Sequence, residues 1–181
     1  MKIYTKNGDK GTTSLYGGKP SLKSGKIVDL IGTVDELNSI IGVAIATSAS
    51  STQKVLTPVQ YDLFVIGAYL AGDVSQKQKN DFKKKTLVME KSIDKISTKL
   101  PPLRFFILPG GSIASSNLHY ARTVCRRCER LFVDYLNDTN WMEKEADILA
   151  FVNRLSDFLY VLARKENFEQ GEDDVIWKSI Q

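Results

Sequence analysis

The stretch IVDLIGTVDELNSIIGVA, Ile27–Ala44, decides the fold class. Ile27, Leu30, Ile31, Val34, Leu37, Ile41 and Ala44 recur at spacings of three and four. That is the apolar stripe of an amphipathic helix, whose 3.6-residue turn brings i, i+3, i+4 and i+7 onto one face. A strand would alternate every second residue, and this stretch does not.

The same period continues downstream. Thr52–Thr57 reads as a break, and Pro58 sits where the first turn of a second helix tolerates proline. Leu63, Ile66, Gly67, Leu70 and Val74 mark that helix. After the polar run Ser75–Asp81, a third stripe carries Phe82, Met89, Ile93, Ile96 and Leu100. Pro101 and Pro102 stop it. The apolar piece RFFILPGG, Arg104–Gly111, is too short for a helix. A fourth helix is expected over about Ser112–Leu136, ended by Asn137–Asn140, and a fifth over about Met142–Asn167. The core face of the fifth is Ile148, Phe151, Val152, Leu155, Leu159 and Leu162. Gly171 then opens a polar tail with Trp177 as its large anchor. Five helices with short connections predict an all-α, antiparallel five-helix bundle. We expect one domain over residues 1–181: a glycine-rich loop at 1–25, the bundle at 26–168 and a tail at 169–181.

At 181 residues, 43% apolar and 25% charged, the chain can bury a core of its own. No uninterrupted apolar run approaches the 18 or so residues of a membrane span, and the N-terminus has no apolar h-region. A cytoplasmic protein without a membrane partner is the expectation. A net charge of +4 suits an anionic ligand without requiring nucleic acid. Cys125 and Cys128 form a CxxC inside a helical pattern, and the sole histidine, His119, is the only other soft ligand. A structural zinc site needs about four ligands, so two reduced, packed thiols are expected.

Two features could carry chemistry. TKNGDKGTTSL, Thr5–Leu15, holds Gly8 and Gly11, hydroxyls at Thr12, Thr13 and Ser14, and charges at Lys6 and Lys10. Glycines at positive φ let backbone N–H groups converge on an anion. The composition fits a triphosphate cradle or a mobile arm, and it does not match the Walker A pattern. On the fourth helix, Arg122, Arg126, Glu129 and Arg130 share one face, while Ala121, Cys125, Cys128 and Phe132 form the apolar side. Such an arginine stripe needs carboxylates at an interface or a bound phosphate chain. Asp35, beside Ile31 and Val34, reads as partly buried and in need of an arginine partner. Asn153, Arg154, Ser156 and Asp157 interrupt the fifth stripe, as a solvent face or a binding site. No Ser/His/Asp set and no HExxH or EF-hand pattern is present. A nucleotide binder without a general base suits a highly reactive cosubstrate.

YTKNGDKGTTSL, GTVDELNS, FILPGG, LHYARTVCRRCER and NRLSDFLYVLAR occur in this order across residues 4–164. Together they resemble the PduO-type ATP:cob(I)alamin adenosyltransferases, the corrinoid adenosyltransferases. The resemblance implies transfer of the 5′-deoxyadenosyl group of ATP to Co(I) of cobalamin, with release of triphosphate. It implies homotrimers with active sites between subunits, a cob(II)alamin reductase and a B12-dependent client enzyme as partners, and no nucleic acid. Thr5, Lys6, Asn7, Gly8, Thr13 and Ser14 would wrap the ATP phosphates. Lys23 would bind phosphate, with Lys26 its rival because Ser24-Gly25 replaces the family's acidic pair. Arg126, Glu129 and Arg130 would contact ATP and Mg2+, the metal being held through the phosphates with Glu129 as a candidate ligand. Asn153 would lie on the nucleotide. On the cobalamin side, Asp35 would pair with Arg122 across the subunit interface. Phe106 would face the lower side of the corrin and displace the axial base, leaving four-coordinate Co(II). The catalytic set so implied is Arg126, Glu129, Phe106, Asp35 and Arg122. A carrier that binds adenosylcobalamin without making it is the competing reading, and a basic nucleic-acid binder is a third.

Overall fold

The computed structural model describes residues 2–75, 80–138 and 143–178. Among them, five long helices dominate: α1 (Lys26–Thr47), α2 (Ser50–Leu70), α3 (Phe82–Ser97), α4 (Ile113–Asn137) and α5 (Glu143–Glu169). Parts of the expected separators, at residues 76–79 and 139–140, lie outside the described residues, as does Met142, the expected start of the fifth helix.

The apolar stripes meet in one core. Leu30, Leu37, Ile41 and Ala44 of α1 are fully buried, as are Leu118, Ala121, Cys125, Cys128 and Phe132 of α4. Ile148, Val152, Leu155, Leu159 and Leu162 of α5 join them. Helix α4 packs against both α1 and α5, α2 lies mainly on α1, and α3 lies on α5. Each fully buried leucine or isoleucine contributes about 1.5–3 kcal/mol of transfer free energy. On length and composition alone α1 could cross a bilayer. Its buried residues here face α2 and α4, as in the core helix of a globular bundle.

Ser112 caps α4: its Oγ accepts a 3.2 Å hydrogen bond from the Ser115 N–H, satisfying one of the free donors of the first turn. Asp81 does the same for α3 through Lys84 N–H, at 2.9 Å.

The start of α2 corrects the sequence reading. Thr52–Thr57 is helical, and Pro58 sits inside the helix rather than in its first turn. Pro58 and Lys54 both face solvent, so water can satisfy the carbonyl that proline leaves unpaired. Thr52 occupies a core position and hides the stripe that runs on through Leu56, Val59 and Leu63. Its hydroxyl donates to the fully buried Glu166 of α5, whose other oxygen accepts from Ala49 N–H at 3.1 Å.

The first 25 residues are also more ordered than a plain loop. β1 (Thr12–Ser14) and β2 (Pro20–Leu22) pair antiparallel, with Thr13 opposite Ser21. A 3-10 turn at Tyr16–Gly18 joins them, and Tyr16 N–H donates to Ala71 O at the end of α2, at 2.9 Å.

Candidate active site

Three groups of expected site residues take their places on this frame. The first is the N-terminal loop. Lys6 has a positive φ of 62° and Gly11 one of 83°. Asp9 N–H turns back to Lys6 O and Gly11 N–H to Gly8 O, each at 3.3 Å. The chain therefore folds into two successive turns before β1, a shape that collects N–H groups. Thr5, Lys6, Asn7 and Ser14 are exposed, and Gly8 and Thr13 are half-buried. A Cβ on Gly8 would come 3.0 Å from Lys23 Nζ, so that ammonium lies directly over the loop. Lys26 points elsewhere: it bridges Asp134 of α4 and Asp138 just past its end, at 3.1 and 2.9 Å.

The second group is the α4 stripe. Arg126 and Arg130 are exposed, while Arg122 and Glu129 are half-buried. Among the described residues the Arg126 guanidinium has no ion pair, and Arg130 reaches only the carbonyl of Arg126, at 3.1 Å. Burial, and then the neighbouring Arg126 charge, push the Arg122 pKa down. Its Nε is buried with no partner. Among the described residues, then, none of these three guanidiniums has a carboxylate partner. Glu129 meets α5 instead, where its Oε1 accepts from Asn153 Nδ2 at 2.6 Å. Arg154 pairs with Glu90 at 3.0 Å and with Asp157 at 2.5 Å, and Ser156 donates to Asn153 O. The polar group in the fifth stripe is thus a hydrogen-bonded support with Asn153 left on the surface.

Asp35 is not half-buried, as its place in the stripe suggested. It is exposed, and the acid that pairs with α4 within the chain is its neighbour Glu36, bonded to Arg127. One position on a helix rotates a side chain by about 100°, which separates the two roles. Asp35 lines a cavity of about 230 Å³ between α1 and α2 with Asn38 and Phe64. The Oδ1 of Asn38 is buried there without a partner.

The third group is the segment Pro101–Ser112. Phe106 is 81% exposed. With Leu103, Arg104, Phe105, Ile176, Trp177 and Lys178 it lines an open cleft of about 830 Å³. Trp177 is half-exposed rather than a buried anchor. The tail is held by its backbone instead: Trp177 N–H donates to Phe106 O and Leu108 N–H to Val175 O, both at 2.8 Å. An exposed aromatic ledge of this size fits a large, flat, mostly apolar ligand.

Against known proteins, a family model described as cobalamin adenosyltransferase matches residues 3–166. The chain belongs to the cobalamin adenosyltransferase family. The corrinoid adenosyltransferase of Bacillus subtilis (strain 168) is 40% identical over 181 residues, 97% of this chain and 91% of that protein. The corrinoid adenosyltransferase MMAB of Bos taurus is 40% identical over 186 residues, 98% of this chain and 76% of that protein. Among solved structures, a phenylalanine-to-alanine variant of the PduO-type ATP:corrinoid adenosyltransferase from Lactobacillus reuteri, complexed with cobalamin and ATP, has a TM-score of 0.88 at 36% identity. That match covers 98% of this chain and 100% of the other. An arginine-to-lysine variant from the same organism, complexed with ATP, has a TM-score of 0.87 at 37% identity, over 97% and 100%.

For an adenosyltransferase the remaining chemistry reads simply. Cys125 and Cys128 are free, buried thiols on the apolar side of α4. Burial holds Cys125 well above the usual thiol pKa and pushes Cys128 up to about 12. Both are packing residues. His119 is buried, its ring nitrogens have no hydrogen-bond partner among the described residues, and the ring lies edge-on to Tyr160 at 5.8 Å. No cluster of three acidic, histidine or cysteine ligands gathers among the described residues. Two groups escaped sequence reasoning, Arg164 and Asn167 of α5. Both are buried, and both bond to backbone of the Phe106 segment.

Proposed function

We propose that this chain is an ATP:cob(I)alamin adenosyltransferase, which joins the 5′-deoxyadenosyl group of ATP to cobalt and releases triphosphate. The observation that carries the reading is the pairing of three α4 arginines, without carboxylate partners among the described residues, with an exposed aromatic ledge around Phe106. One suits a phosphate chain and the other a corrin.

In this reading Thr5, Lys6, Asn7, Gly8, Thr13 and Ser14 wrap the phosphates through backbone N–H groups and hydroxyls. Lys23 supplies the loop's ammonium, and its place over Gly8 supports it above Lys26, which the α4 acids engage. Arg126 and Arg130 neutralise the triphosphate as the C5′–O bond breaks and negative charge grows on the leaving group. Co(I) attacks C5′ of ATP directly, so no side chain needs to act as a general base. Glu129, oriented by Asn153, faces Mg2+ carried by the phosphates, and Asn153 lies on the nucleotide.

Asp35 and Arg122 brace the cobalamin side. Their separation within one chain, and the exposure of Arg126, Arg130 and Phe106, support a site completed by a neighbouring subunit, in a homotrimer. Phe106 displaces the lower axial base and leaves a four-coordinate Co(II) that is easier to reduce. A cob(II)alamin reductase and a B12-dependent client enzyme are the partners this chemistry calls for. We place the protein in the cytoplasm, where two free thiols stay reduced. The test is ATP-dependent turnover: formation of a cobalt–carbon bond from cob(I)alamin only when Mg-ATP is present. Tight binding of both ligands without turnover would make the protein a carrier.

A further inference from the structure

Residues 101–112 carry Phe106 yet bury little of their own. Leu103, Phe105, Phe106 and Leu108 are all exposed, and only Ile107, Gly110 and Ser112 are half-buried. A segment with so few apolar anchors keeps its shape through polar contacts. Those at its two ends come from one face of α5, joined at Gly110 and Ser112 by Ser115 and Ser116 of α4, and those in its middle from the backbone of the tail.

Arg164, 9% exposed, sits under the start of the segment. Its Nη2 donates to Pro101 O at 2.9 Å, and its Nε donates to Asp174 Oδ2 at 2.7 Å. One guanidinium thus holds both the segment and the C-terminal tail. Asn167, one turn further and 3% exposed, closes the other end. Its Oδ1 accepts from Ser112 N–H at 3.0 Å, and its Nδ2 donates to Gly110 O at 3.1 Å. Gly111 passes so close, at a φ of 95°, that a Cβ there would collide with the Asn167 amide. From Asp174 the tail runs directly into Val175 and Trp177, whose backbones bond Leu108 and Phe106. The Phe106 carbonyl is therefore two short links from Arg164.

We propose that Arg164 and Asn167 are positioning residues for Phe106: by pinning residues 101–112 at both ends and the tail alongside, they set how far the Phe106 ring reaches toward the lower face of the corrin. This rests on the reading of Phe106 given above. Both act through backbone, so their loss shows where Phe106 acts and not in the transfer step.

Arg164→Lys keeps a charge but not the planar fork that serves two acceptors. Asp174→Asn keeps the shape and removes the charge that ties down the tail. Asn167→Asp turns a carboxylate oxygen toward the Gly110 carbonyl. The full-length protein is loaded with cob(II)alamin and Mg-ATP, and the four-coordinate Co(II) fraction is read by electron paramagnetic resonance and absorbance. Adenosylation is then timed twice, from pre-reduced cob(I)alamin and from cob(II)alamin with a one-electron chemical reductant.

Arg164→Lys and Asp174→Asn are expected to lower the four-coordinate fraction and slow the Co(II)-started reaction by about tenfold or more, since small misplacements are costly at a reacting centre. The Co(I)-started rate is expected to fall far less. An unchanged four-coordinate fraction in both variants overturns the inference, as does equal loss in both assays. If the wild-type protein forms no four-coordinate species, the axial reading of Phe106 falls and the inference falls with it. If only the variants match wild type, the inference alone falls. Should Asn167→Asp fail to fold, Asp174→Asn, made on the tail outside the bundle, still decides.

Discussion

Glu129 accepts a 2.6 Å hydrogen bond from Asn153, joining α4 to α5 one turn beyond Arg126. The bond holds the carboxylate on the same face as the arginines. Arg126 itself has no ion pair among the described residues.

Arg126→Ala should remove a charge-assisted contact to the phosphates and cost about 2–4 kcal/mol of transition-state stabilisation. The check is kcat/KM for ATP with cob(I)alamin in excess. A wild-type value removes Arg126 from the site. Because the side chain is exposed and unpaired, the variant should melt with the wild-type protein.

Lys23 and Lys26 should separate cleanly. Lys23→Met should raise KM for ATP, while Lys26→Met should leave it unchanged and affect only the α1–α4 contact with Asp134 and Asp138. Nucleotide titrations of the two variants check this, and equal loss in both would contradict the placement of Lys23 over the loop.

Phe106→Ala should be hurt more when the reaction starts from Co(II) than from pre-reduced Co(I). The ring is exposed, so fold stability should scarcely change. A ratio of the two rates equal to that of the wild-type protein would argue against axial displacement.

His119 gives the bundle an acid sensitivity. Burial, then the Arg122 charge, lower its pKa to about 4, against the opposing pull of Asp174. The native state holds it neutral while the unfolded chain protonates near 6.5. Between those values the unfolded state binds more protons, so stability is full above about pH 6.5 and falls as pH drops toward 4. Replacing His119 with Gln should flatten the melting-temperature profile between pH 4 and 6.5, relative to pH 8. An unaltered slope would show that other groups set it.

Much of this was legible in the sequence because it depends on period. The stripes of α1, α4 and α5 are buried as the spacing requires, and Ser112 caps α4 where the pattern begins. What periodicity missed is instructive. Thr52 sits at a core position but looks polar, so the first turns of α2 read as a linker. Asp35 and Glu36 are neighbours at the edge of a buried arc, and spacing cannot say which one turns inward. Arg164 and Asn167 were invisible because the atoms of the Phe106 segment they hold are backbone atoms, 63 and 55 positions away. A polar residue on the stripe was the available signal. Glu166 follows Leu155, Leu159 and Leu162 at core spacing, and a charge there demands partners. Its neighbours in sequence hold the Phe106 segment.

The central claim is tested most directly by identifying what leaves ATP. Under anaerobic conditions the full chain is given chemically reduced cob(I)alamin and Mg-ATP, and the inorganic product is resolved together with the cobalt–carbon absorbance. The account predicts adenosylcobalamin and intact triphosphate in equal amounts. Cobalt–carbon bond formation without triphosphate, or binding of both ligands with no turnover, would contradict it.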